Sequence, residues 1–522
     1  MNQTIYPIGI QNFEKIRKDG YLYVDKTALV YQLANTGSYY FLSRPRRFGK
    51  SLLLSTLEAY FQGKKELFEG LAIANLEKEW MEYPILHLDL NAEKYSDAGA
   101  LESILRRFLN FWEDRWGKDD REITPSDRFT GVIRRAYEKT GRRVVVLVDE
   151  YDKPLLQALE NAELQEAYHA ILKAFYGVLK TMDGYIRLAF LTGVTKFGKV
   201  SVFSDLNNLD DISMREPYAT ICGITEAELL TYFDGDIHKL ASSLELTYDE
   251  TRSLLRKRYD GYHFVANGPG IYNPFSLLNT FKYMRPEDYW FETGTPSYLV
   301  ELLKHTHYDL YELANTETDA DVLNSIDSTS SNPVPVIYQS GYLTIKDYDS
   351  RFGIYKLGFP NLEVEEGFVK YLLPFYTSVS APKTPFEIGR FVREVENGDY
   401  DAFFRRLQSF FADTPYEVIA GQKPERDTEL HYQNVLFIVF RLIGLYAKVE
   451  YHTSNGRIDL VVQTDRYIYI MEFKLNGSAE DALRQIDEKR YALPFANDGR
   501  KVFKIGVNFS SDTRNIERWL VE

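Results

Sequence analysis

The sequence predicts a multidomain α/β protein, and two patterns along the chain support this fold class. In the N-terminal part, short apolar runs alternate with longer helical segments, as is typical of a mostly parallel sheet with helices on both faces. Near the C-terminus, a helical segment precedes three strands, a helix and a further strand, which predicts an α/β/α sandwich. The length of 522 residues also exceeds that of one ordinary domain.

Four apolar runs are the predicted strands of the first sheet. They lack the polar alternation of half-exposed strands, so burial on both faces is expected. The strands are Tyr39–Leu42, Ile85–Leu90, Val144–Val148 and Ile186–Leu191, and the helices between them include Ser51–Phe61, Ala100–Trp116 and Leu164–Met182.

The middle of the chain is predicted to be mainly helical from Thr225 to about Leu303. Residues Gly341–Phe359 predict a hairpin, because two strand-like runs flank a polar turn. A helix, Leu362–Tyr376, follows. The C-terminal elements are predicted helices at Glu429–Leu445 and Ala479–Tyr491 and strands at Ala447–His452, Ile458–Gln463, Tyr467–Phe473 and Val502–Asn508.

Three polar stretches with proline or glycine are predicted boundaries: Asp321–Pro335, Thr377–Pro385 and Phe411–Asp427. Together with the change of pattern after the first sheet, they predict three modules at residues 1–222, 223–385 and 386–522.

Composition excludes several classes of protein. The hydrophobic content of 44% is too high for wholesale disorder, and a single cysteine excludes an intramolecular disulfide framework and an all-cysteine zinc site. The N-terminus lacks a signal-peptide pattern, and no run of about 18 apolar residues occurs. We therefore expect a cytoplasmic protein without a membrane partner. The net charge of -14 argues against binding nucleic acid through bulk electrostatics, but it leaves room for a local basic groove.

A candidate phosphate-binding turn lies in the segment SRPRRFGKSLLL, which follows a predicted strand and opens a helix. A turn at Gly49 lets backbone N–H groups and the helix N-terminus face a phosphate. Lys50 is expected to reach the β- and γ-phosphates of a nucleotide, and the Ser51 hydroxyl to ligate Mg²⁺. The match is partial, because Arg44 stands where the full pattern has glycine.

The strand ending in Asp149-Glu150 is the predicted second half of this site. In nucleotide hydrolases such an aspartate enters the Mg²⁺ shell, and a following glutamate polarises the attacking water. Thr192, at the end of another predicted strand, is a candidate sensor of the γ-phosphate. The simpler alternatives are a helix cap at Lys50 and Ser51, a solvated strand end at Asp149 and Glu150, and a turn former at Thr192.

Four cations, Arg44, Arg46, Arg47 and Lys50, lie within seven residues. Either this is a solvated loop, or one arginine contacts phosphate charge as an arginine finger does. The sequence leaves the two interpretations open.

A second chemical pattern lies in GRIDLVVQTDRYIYIMEFKL. Glu472 and Lys474 are two residues apart on one predicted strand, so they share a face, and a hairpin would bring Asp459 to that face. Two carboxylates suit Mg²⁺, and a lysine beside them can orient the attacking water in phosphodiester hydrolysis. Glu429 is a candidate third acid, and Gln485 and Tyr491 are expected to face the site. A solvated strand face is the simpler alternative.

These residues resemble a known family, the bacterial AAA-ATPase-like proteins with a C-terminal PD-(D/E)XK nuclease-superfamily domain. The resemblance spans nearly the whole chain and rests on YVDKTALV, FLSRPRRFGKSLLLSTL, VLVDEYDKPL, LTGVTKF, YDGYHF, YNPFSLLN, YQSGYLTI, GRIDLVV and IMEFKL. It implies that arginine at position 44 is a family trait. It also implies a P-loop ATPase domain, a middle region with a helical lid and a winged-helix-like module, and a nuclease-like domain.

The resulting functional hypothesis is an ATP-binding and ATP-hydrolysing protein coupled to a Mg²⁺-dependent nuclease-like domain that acts on DNA, with RNA kept open. The alternative is an ATP-dependent switch whose nuclease-like domain only binds nucleic acid or a protein. Assembly into a homo-oligomer is a further hypothesis, since AAA-type sites commonly take an arginine from a neighbouring subunit, and Arg215 is a candidate for that role.

Overall fold

The computed structural model describes residues 4–92, 94–158, 161–196, 202–203, 206, 208–291, 299, 302–303, 306, 308–313, 316–324, 332–377, 379–412, 424–444, 446–454 and 457–522. The side chains of residues 92, 424–429, 450–454 and 457–459 lie outside this description. The chain divides into two compact units. The first comprises Met1–Thr293 and Thr316–Glu363, and the second comprises Gly294–Asn315 and Val364–Glu522.

The first unit is built around a five-stranded parallel sheet with the order β2-β3-β4-β1-β5. The predicted strands are confirmed, with ends that shift by up to two residues. The strands are β1 (Tyr39–Ser43), β2 (Ile85–Asp89), β3 (Val144–Asp149), β4 (Ile186–Gly193) and the short β5 (Asp210–Asp211). The accompanying helices are Phe13–Lys18, Thr27–Thr36, Lys50–Phe61, Ile73–Leu76, Ala98–Trp116, Pro125–Thr140, Lys153–Gln157 and Ala162–Thr181.

The strand order decides which residues meet at the edge of this sheet. Strands β1 and β3 are not neighbours, because β4 lies between them and pairs with both. Since all the strands are parallel, their carboxyl ends share one edge. The residues that follow β1, β3 and β4 are therefore brought together, although the end of β1 lies more than a hundred residues from the ends of β3 and β4 in the chain.

A helical layer follows. The predicted helical character is confirmed as far as Tyr283, and residues 292–298 and 300–301 of the predicted stretch lie outside the described residues. Its helices are Glu226–Leu244, Tyr248–Tyr259 and Pro274–Tyr283, and a two-stranded ribbon pairs β6 (Ile224–Thr225) with β7 (Ile271–Tyr272). Phe233 and Phe281 stack 5.3 Å apart in its core. Capping boxes at Thr225 and Thr247 start two of the helices, which explains why both begin so sharply.

The predicted hairpin of the middle region is also confirmed. It consists of β9 (Thr344–Asp349) and β10 (Ile354–Gly358), and β8 (Glu317–Thr318) pairs with the outer edge of β10. The sequence did not predict β8, since two residues are too short to show a period. Short helices at Ala320–Asn324 and Val334–Gln339 precede the hairpin.

The second unit contains a mixed five-stranded sheet in which the strands follow chain order. They are β11 (Lys448–Ser454), β12 (Arg457–Gln463), β13 (Tyr467–Leu475), β14 (Lys501–Ser510) and β15 (Asn515–Val521). Only β13 and β14 are parallel, and the helix Ala479–Glu488 connects them. Further helices are Leu310–Leu313, Thr384–Asn397, Tyr400–Ala412 and Pro424–Ile443.

The sequence missed three helices of the described part of this unit, Leu310–Leu313, Thr384–Asn397 and Tyr400–Ala412, and the strand β15. Residues 377–385 were predicted as a boundary because of their prolines, yet Pro385 stands in the first turn of the helix Thr384–Asn397. Proline is well tolerated there, because its missing N–H has no partner in the first turn of a helix. The helix Leu362–Tyr376 was predicted with its exact bounds, and it begins in the first unit and continues into the second.

In the described part of the chain, no helix combines the length and the apolar character that crossing a bilayer requires.

One buried acid of the first unit predicts how stability depends on pH. Glu363 is fully buried, and burial raises its pKa to about 8. The unfolded chain has a pKa of about 4.3 at this group, so the folded state binds more protons between these values. The free energy of unfolding therefore falls as the pH rises from about 4 to about 8, by on the order of a few kcal/mol. Melting temperatures measured between pH 5 and pH 8.5 should show this decline.

The variant Glu363→Gln should flatten that decline and melt above the wild type at pH 8.5. Glu365→Gln, on the same helix, is the matched control, since that carboxylate is partly exposed and paired with Arg441. It should keep the wild-type slope. If the melting temperature of Glu363→Gln fell with pH as steeply as that of the wild type, Glu363 would not be the source of the pH dependence.

Candidate functional sites

The phosphate-binding loop predicted from the sequence connects β1 to the helix Lys50–Phe61. Its turn depends on two left-handed residues, Arg47 at φ 66° and Gly49 at φ 96°. A Cβ added to Gly49 would meet nothing within 4 Å, so glycine is favoured there by backbone conformation and not by lack of space. The turn leaves the N-terminus of the twelve-residue helix open at the sheet edge, where backbone N–H groups attract anions.

Asp149 is the centre of a polar cluster at this edge. Its carboxylate accepts a hydrogen bond from Ser51 Oγ at 2.5 Å and one from Thr192 Oγ1 at 2.6 Å. Asp149 and Thr192 are both buried. Three residues predicted separately from the sequence thus converge from β3, β4 and the helix after β1.

The ammonium group of Lys50 lies under the loop. Its Nζ donates to the main-chain oxygen of Arg44 at 2.9 Å and to that of Pro45 at 3.2 Å, and the side chain is buried. Neutral carbonyls satisfy the ammonium without cancelling its charge. A phosphate at the loop would therefore compete effectively for this group, because a hydrogen bond between two ions is stronger than one to a carbonyl.

A cavity of 510 Å³ opens in front of the loop and is rich in cationic side chains. Its lining includes Arg46, Arg47, Lys50, Ser51, Glu150 and Lys153. A smaller cavity of 100 Å³ adjoins it and shares Gly49 and Leu52 with it. The smaller cavity is mainly apolar, with lining residues that include Leu22, Val24, Phe48, Ile224 and Leu278.

Arg44, a candidate from the sequence for contact with the nucleotide phosphates, points away from the large cavity. Its guanidinium donates to the main-chain oxygens of Ser43 at 2.9 Å, Ser213 at 2.8 Å and Tyr218 at 3.2 Å, and it lies 4.0 Å from the ring centre of Phe264. It does not line the large cavity. Burial lowers the pKa of the guanidinium from its ordinary value, but the carbonyl dipoles and the ring accommodate the charge. The side chain that replaces the expected glycine therefore fastens the loop to the rest of the unit.

Arg44→Met should therefore mainly lower the free energy of unfolding, and it should affect nucleotide binding less. The change removes this donor from the buried carbonyls of Ser43 and Ser213, while Tyr218 O still accepts from Ile221 N at 3.2 Å. The loss costs about 2 kcal/mol in the free energy of unfolding. Arg47→Gln, at an exposed position of the same loop, should leave the melting temperature unchanged and weaken binding of an anionic ligand. Thermal melting and nucleotide titration of both variants separate the two roles. Equal melting temperatures would contradict this role of Arg44.

The second predicted site lies on β13 in the C-terminal unit. Glu472 is fully buried, and its Oε1 is 3.2 Å from Lys474 Nζ. Lys474 also donates to the side-chain oxygen of Gln485 on the helix Ala479–Glu488. The predicted approach of Gln485 is thus present. Tyr491 instead follows that helix and packs against a hydrophobic cluster around Ile468 and Ile486.

The backbone register brings Asp459 to the same place. Asp459 on β12 pairs directly with Glu472 on β13, and residues directly opposite in an antiparallel pair share one face of the sheet. The side chains of Asp459 and Glu429 lie outside the described residues. Among the side chains that are described, no three or more histidine, cysteine, aspartate or glutamate residues converge.

Arg215, the candidate for reaching a neighbouring subunit, lies at the surface of the first unit. Its side chain is 65% exposed and stands 3.3 Å from Asp210 on the edge strand β5.

Sequence reasoning missed three residues near the phosphate cavity. Lys153 donates from Nζ to the main-chain oxygen of Asn91 at 2.9 Å, and both line the cavity. Asp152 is fully buried and accepts hydrogen bonds from Val194 N and Thr195 N. Burial raises its pKa to about 6, with help from the charge of Glu150. The only sequence signal for Lys153 and Asp152 was their position just after Asp149-Glu150.

The fold and the site geometry define a class, an α/β protein with a nucleotide-hydrolase-like sheet and a nuclease-like C-terminal sheet. Comparison with known proteins supports the same class. Residues 7–203 match a family model described as a predicted AAA-ATPase, and residues 427–519 match one described as the PD-(D/E)XK nuclease superfamily. An uncharacterised protein in the vnfD 5′ region of Azotobacter chroococcum mcd 1 is 36% identical over 528 residues, which cover 100% of this chain and 99% of that protein.

The chain therefore belongs to the family of AAA-ATPase-like proteins that carry a C-terminal PD-(D/E)XK nuclease-superfamily domain. The resemblance predicted from the motifs is confirmed.

Proposed function

We propose that this protein binds and hydrolyses ATP with Mg²⁺, and that it uses the nucleotide to control Mg²⁺-dependent cleavage of DNA by its C-terminal domain. The observation that carries the first part is the contact of Asp149 with both Ser51 and Thr192, beside the cationic cavity in front of the loop. The observation that carries the second part is the arrangement of Glu472, Lys474 and Gln485.

The nucleotide is proposed to span the two adjoining cavities of the first unit. The apolar cavity suits the base, which is flat and largely apolar on its faces. The larger cavity suits the triphosphate, because Arg46, Arg47, Lys50 and Lys153 line it. Gly49 lines both cavities, so a single ligand would pass over the loop.

The residues of the first site also fit a divalent metal. Ser51 and Asp149 supply a hydroxyl and a carboxylate, which are oxygen ligands of the kind that Mg²⁺ prefers. When bound, the metal would neutralise charge on the β- and γ-phosphates. Glu150 lines the same cavity and is proposed to polarise the attacking water. Thr192 holds Asp149 from the side opposite to Ser51 and is proposed to sense the γ-phosphate through that contact.

Glu150→Gln should separate binding from hydrolysis. Gln keeps the shape of the side chain but cannot accept a proton, so turnover should fall by about 100-fold or more. ATP affinity should stay within a few-fold of the wild type, because among the described residues the Glu150 side chain makes no hydrogen bond or ion pair with the loop. Phosphate release and nucleotide titration measure the two quantities. Wild-type turnover in this variant would remove Glu150 from the reaction.

At the second site, Glu472 and Asp459 are proposed to hold Mg²⁺ with Glu429 nearby. Lys474 is proposed to orient the attacking water and to stabilise negative charge on the phosphate. Gln485 keeps the lysine beside Glu472. The metal, when bound, would activate water and stabilise the phosphorane-like charge.

The direct test is to incubate the purified protein with supercoiled and linear DNA, with and without ATP and Mg²⁺, and to measure phosphate release and strand breaks together. Cutting that requires Mg²⁺ and responds to ATP supports the proposal. RNA and single-stranded DNA serve as further substrates. ATP binding without cutting of any of these under several divalent metals would favour the alternative, an ATP-dependent switch whose nuclease-like domain only binds.

The proposal includes a homo-oligomer only in so far as Arg215 would reach the ATP site of a neighbouring subunit. A homo-oligomer that takes this arginine into a neighbouring site should lose ATP turnover in Arg215→Ala and keep its mass. Light scattering with and without ATP measures the mass directly.

A further inference from the structure

Three successive main-chain oxygens of the phosphate loop accept hydrogen bonds from side chains. Arg44 O and Pro45 O accept from Lys50 Nζ, and Arg46 O accepts from Trp290 Nε1 at 2.9 Å. A bound phosphate would affect the lysine and the indole differently. An anion attracts the charged lysine, whereas the neutral indole stays on its carbonyl.

Trp290 is itself held from the opposite side. Its main-chain N donates to Glu363 Oε1 at 2.8 Å, and Ser276 Oγ donates to the same oxygen at 2.8 Å. The indole is 5% exposed and lies edge-on to Tyr342, with ring centres 5.3 Å apart. A buried tryptophan fixed at both its ring and its main chain has little freedom to move independently of these partners.

Glu363 lies in the first turn of the helix Leu362–Tyr376. It is fully buried, and the helix continues past it into the second unit. A helix of this length spans roughly 22 Å, and its internal proline, Pro374, lies in the last turn, so the turns before it keep a regular main chain. A shift at its first turn therefore affects the helix itself.

The loop also packs tightly against the segment before the hairpin. A Cβ added to Gly341 would lie 2.6 Å from Pro45 Cβ and 3.6 Å from the Trp290 ring. Such close packing transmits displacement instead of absorbing it. A change in the path of the loop at Pro45 or Arg46 must be met by Trp290.

We propose that Trp290 and Glu363 couple the nucleotide state of the phosphate loop to the helix Leu362–Tyr376. Trp290 is a positioning residue of the loop, and Glu363 is the positioning residue that ties it to the helix. When phosphate draws Lys50 away, Arg44 O and Pro45 O lose their donor and the main chain there must find new partners. Arg46 O remains bound to Trp290, so the rearrangement passes to Glu363. The proposal rests on ATP binding as proposed above.

The test first measures binding of a non-hydrolysable ATP analogue with Mg²⁺ by titration calorimetry, and then hydrogen–deuterium exchange of peptides covering the helix Leu362–Tyr376. In the wild type, the bound analogue should change exchange in the helix. Trp290→Phe keeps the ring and the main-chain bond but removes Nε1. It should bind the analogue about 2- to 10-fold more weakly, and at saturation the exchange response of the helix should be lost.

The second link is tested with a pair of variants at Glu363. Glu363→Leu removes the acceptor, so it should also abolish the response of the helix at saturation. Glu363→Gln keeps a carbonyl oxygen for Trp290 and Ser276, and it should restore the response. If Glu363 had only a structural role, the helix would show the same exchange response in Glu363→Leu and Glu363→Gln when both are equally saturated with the analogue.

Trp116→Phe is the matched control for the loss of an indole. Trp116 is buried, and within the described part of the chain its Nε1 has no hydrogen-bond partner, so this variant should respond like the wild type. Coupling is overturned if the wild-type helix shows no change with analogue bound, or if Trp290→Phe responds fully. If the wild type does not bind the analogue at all, the titration shows that ATP binding itself has failed.

Discussion

Lys50→Met should abolish ATP turnover while leaving the protein folded. Lys50 is the one cation of the loop that lies under its main chain, where Nζ is held by Arg44 O and Pro45 O. Met keeps the apolar stem but carries no charge to place on the phosphates. Removing one electrostatic group of this kind typically costs 100- to 1,000-fold in rate, so phosphate release should fall by about that factor.

The same variant distinguishes an effect on ATP turnover from an effect on the stability of the fold. Two carbonyls lose a donor, so the melting temperature should drop by a few degrees and the circular dichroism spectrum should stay native. Lys18→Met is the matched control. It removes a lysine whose side chain is 61% exposed and paired with Glu14, and surface pairs contribute little. Turnover in Lys50→Met equal to that of the control would exclude the loop as the ATP site.

Glu472→Gln should abolish cutting of DNA without affecting ATP hydrolysis. The carboxylate is fully buried and 3.2 Å from Lys474, and Glu472 pairs with Asp459 in the backbone register of β12 and β13. Gln offers one weak neutral oxygen where Mg²⁺ prefers a carboxylate. Strand-cleavage rates should fall by about 100-fold or more, while phosphate release stays at the wild-type level.

Lys474 keeps its bond with Gln485 in this variant, so the melting temperature should change little. Glu480→Gln is the matched control, because Glu480 stands on the helix after β13, is 53% exposed and pairs with Arg518. It should cut like the wild type. If Glu472→Gln cuts normally, Glu472 has no part in the cleavage reaction and the proposed site on β13 is wrong. If ATP hydrolysis falls as well, the two activities are not separable as proposed.

Local chemistry explains which parts of the fold could be predicted. Strands β1, β3 and β4 are almost entirely buried, so their apolar runs stand out from the helices between them. Strand β2 differs from the expected burial on both faces, because its residues alternate between buried and partly exposed positions. Strand β5 has two residues and two aspartates, so it has no period and no apolar signal. The helix after Pro385 was missed because the same proline that starts a helix also marks a boundary. The sequence pattern is identical in the two cases.

Some residues of the candidate sites could likewise be predicted from the sequence, and others could not. Lys50, Ser51 and Asp149 were predicted from residue type and from the strand that precedes each one. The role of Arg44 was not, because nothing in SRPRRFGKS distinguishes an arginine that faces a ligand from one that turns inward. Its partners, Ser213 and Tyr218, lie about 170 residues away in the chain. Trp290 was not singled out for a similar reason, since Arg46 is 244 residues away from it.

The sequence by itself determined the class of fold, the family and the chemical identity of both candidate sites, because these depend on local patterns and on short strings of residues. The tertiary structure alone decided how the phosphate loop is held. Only the strand order brings Ser51 and Thr192 into contact with the same carboxylate, that of Asp149. Only long-range packing turns Arg44 inward and brings Trp290 onto the loop. Contacts of that kind depend on how distant segments meet in space, and no local pattern of residues records that.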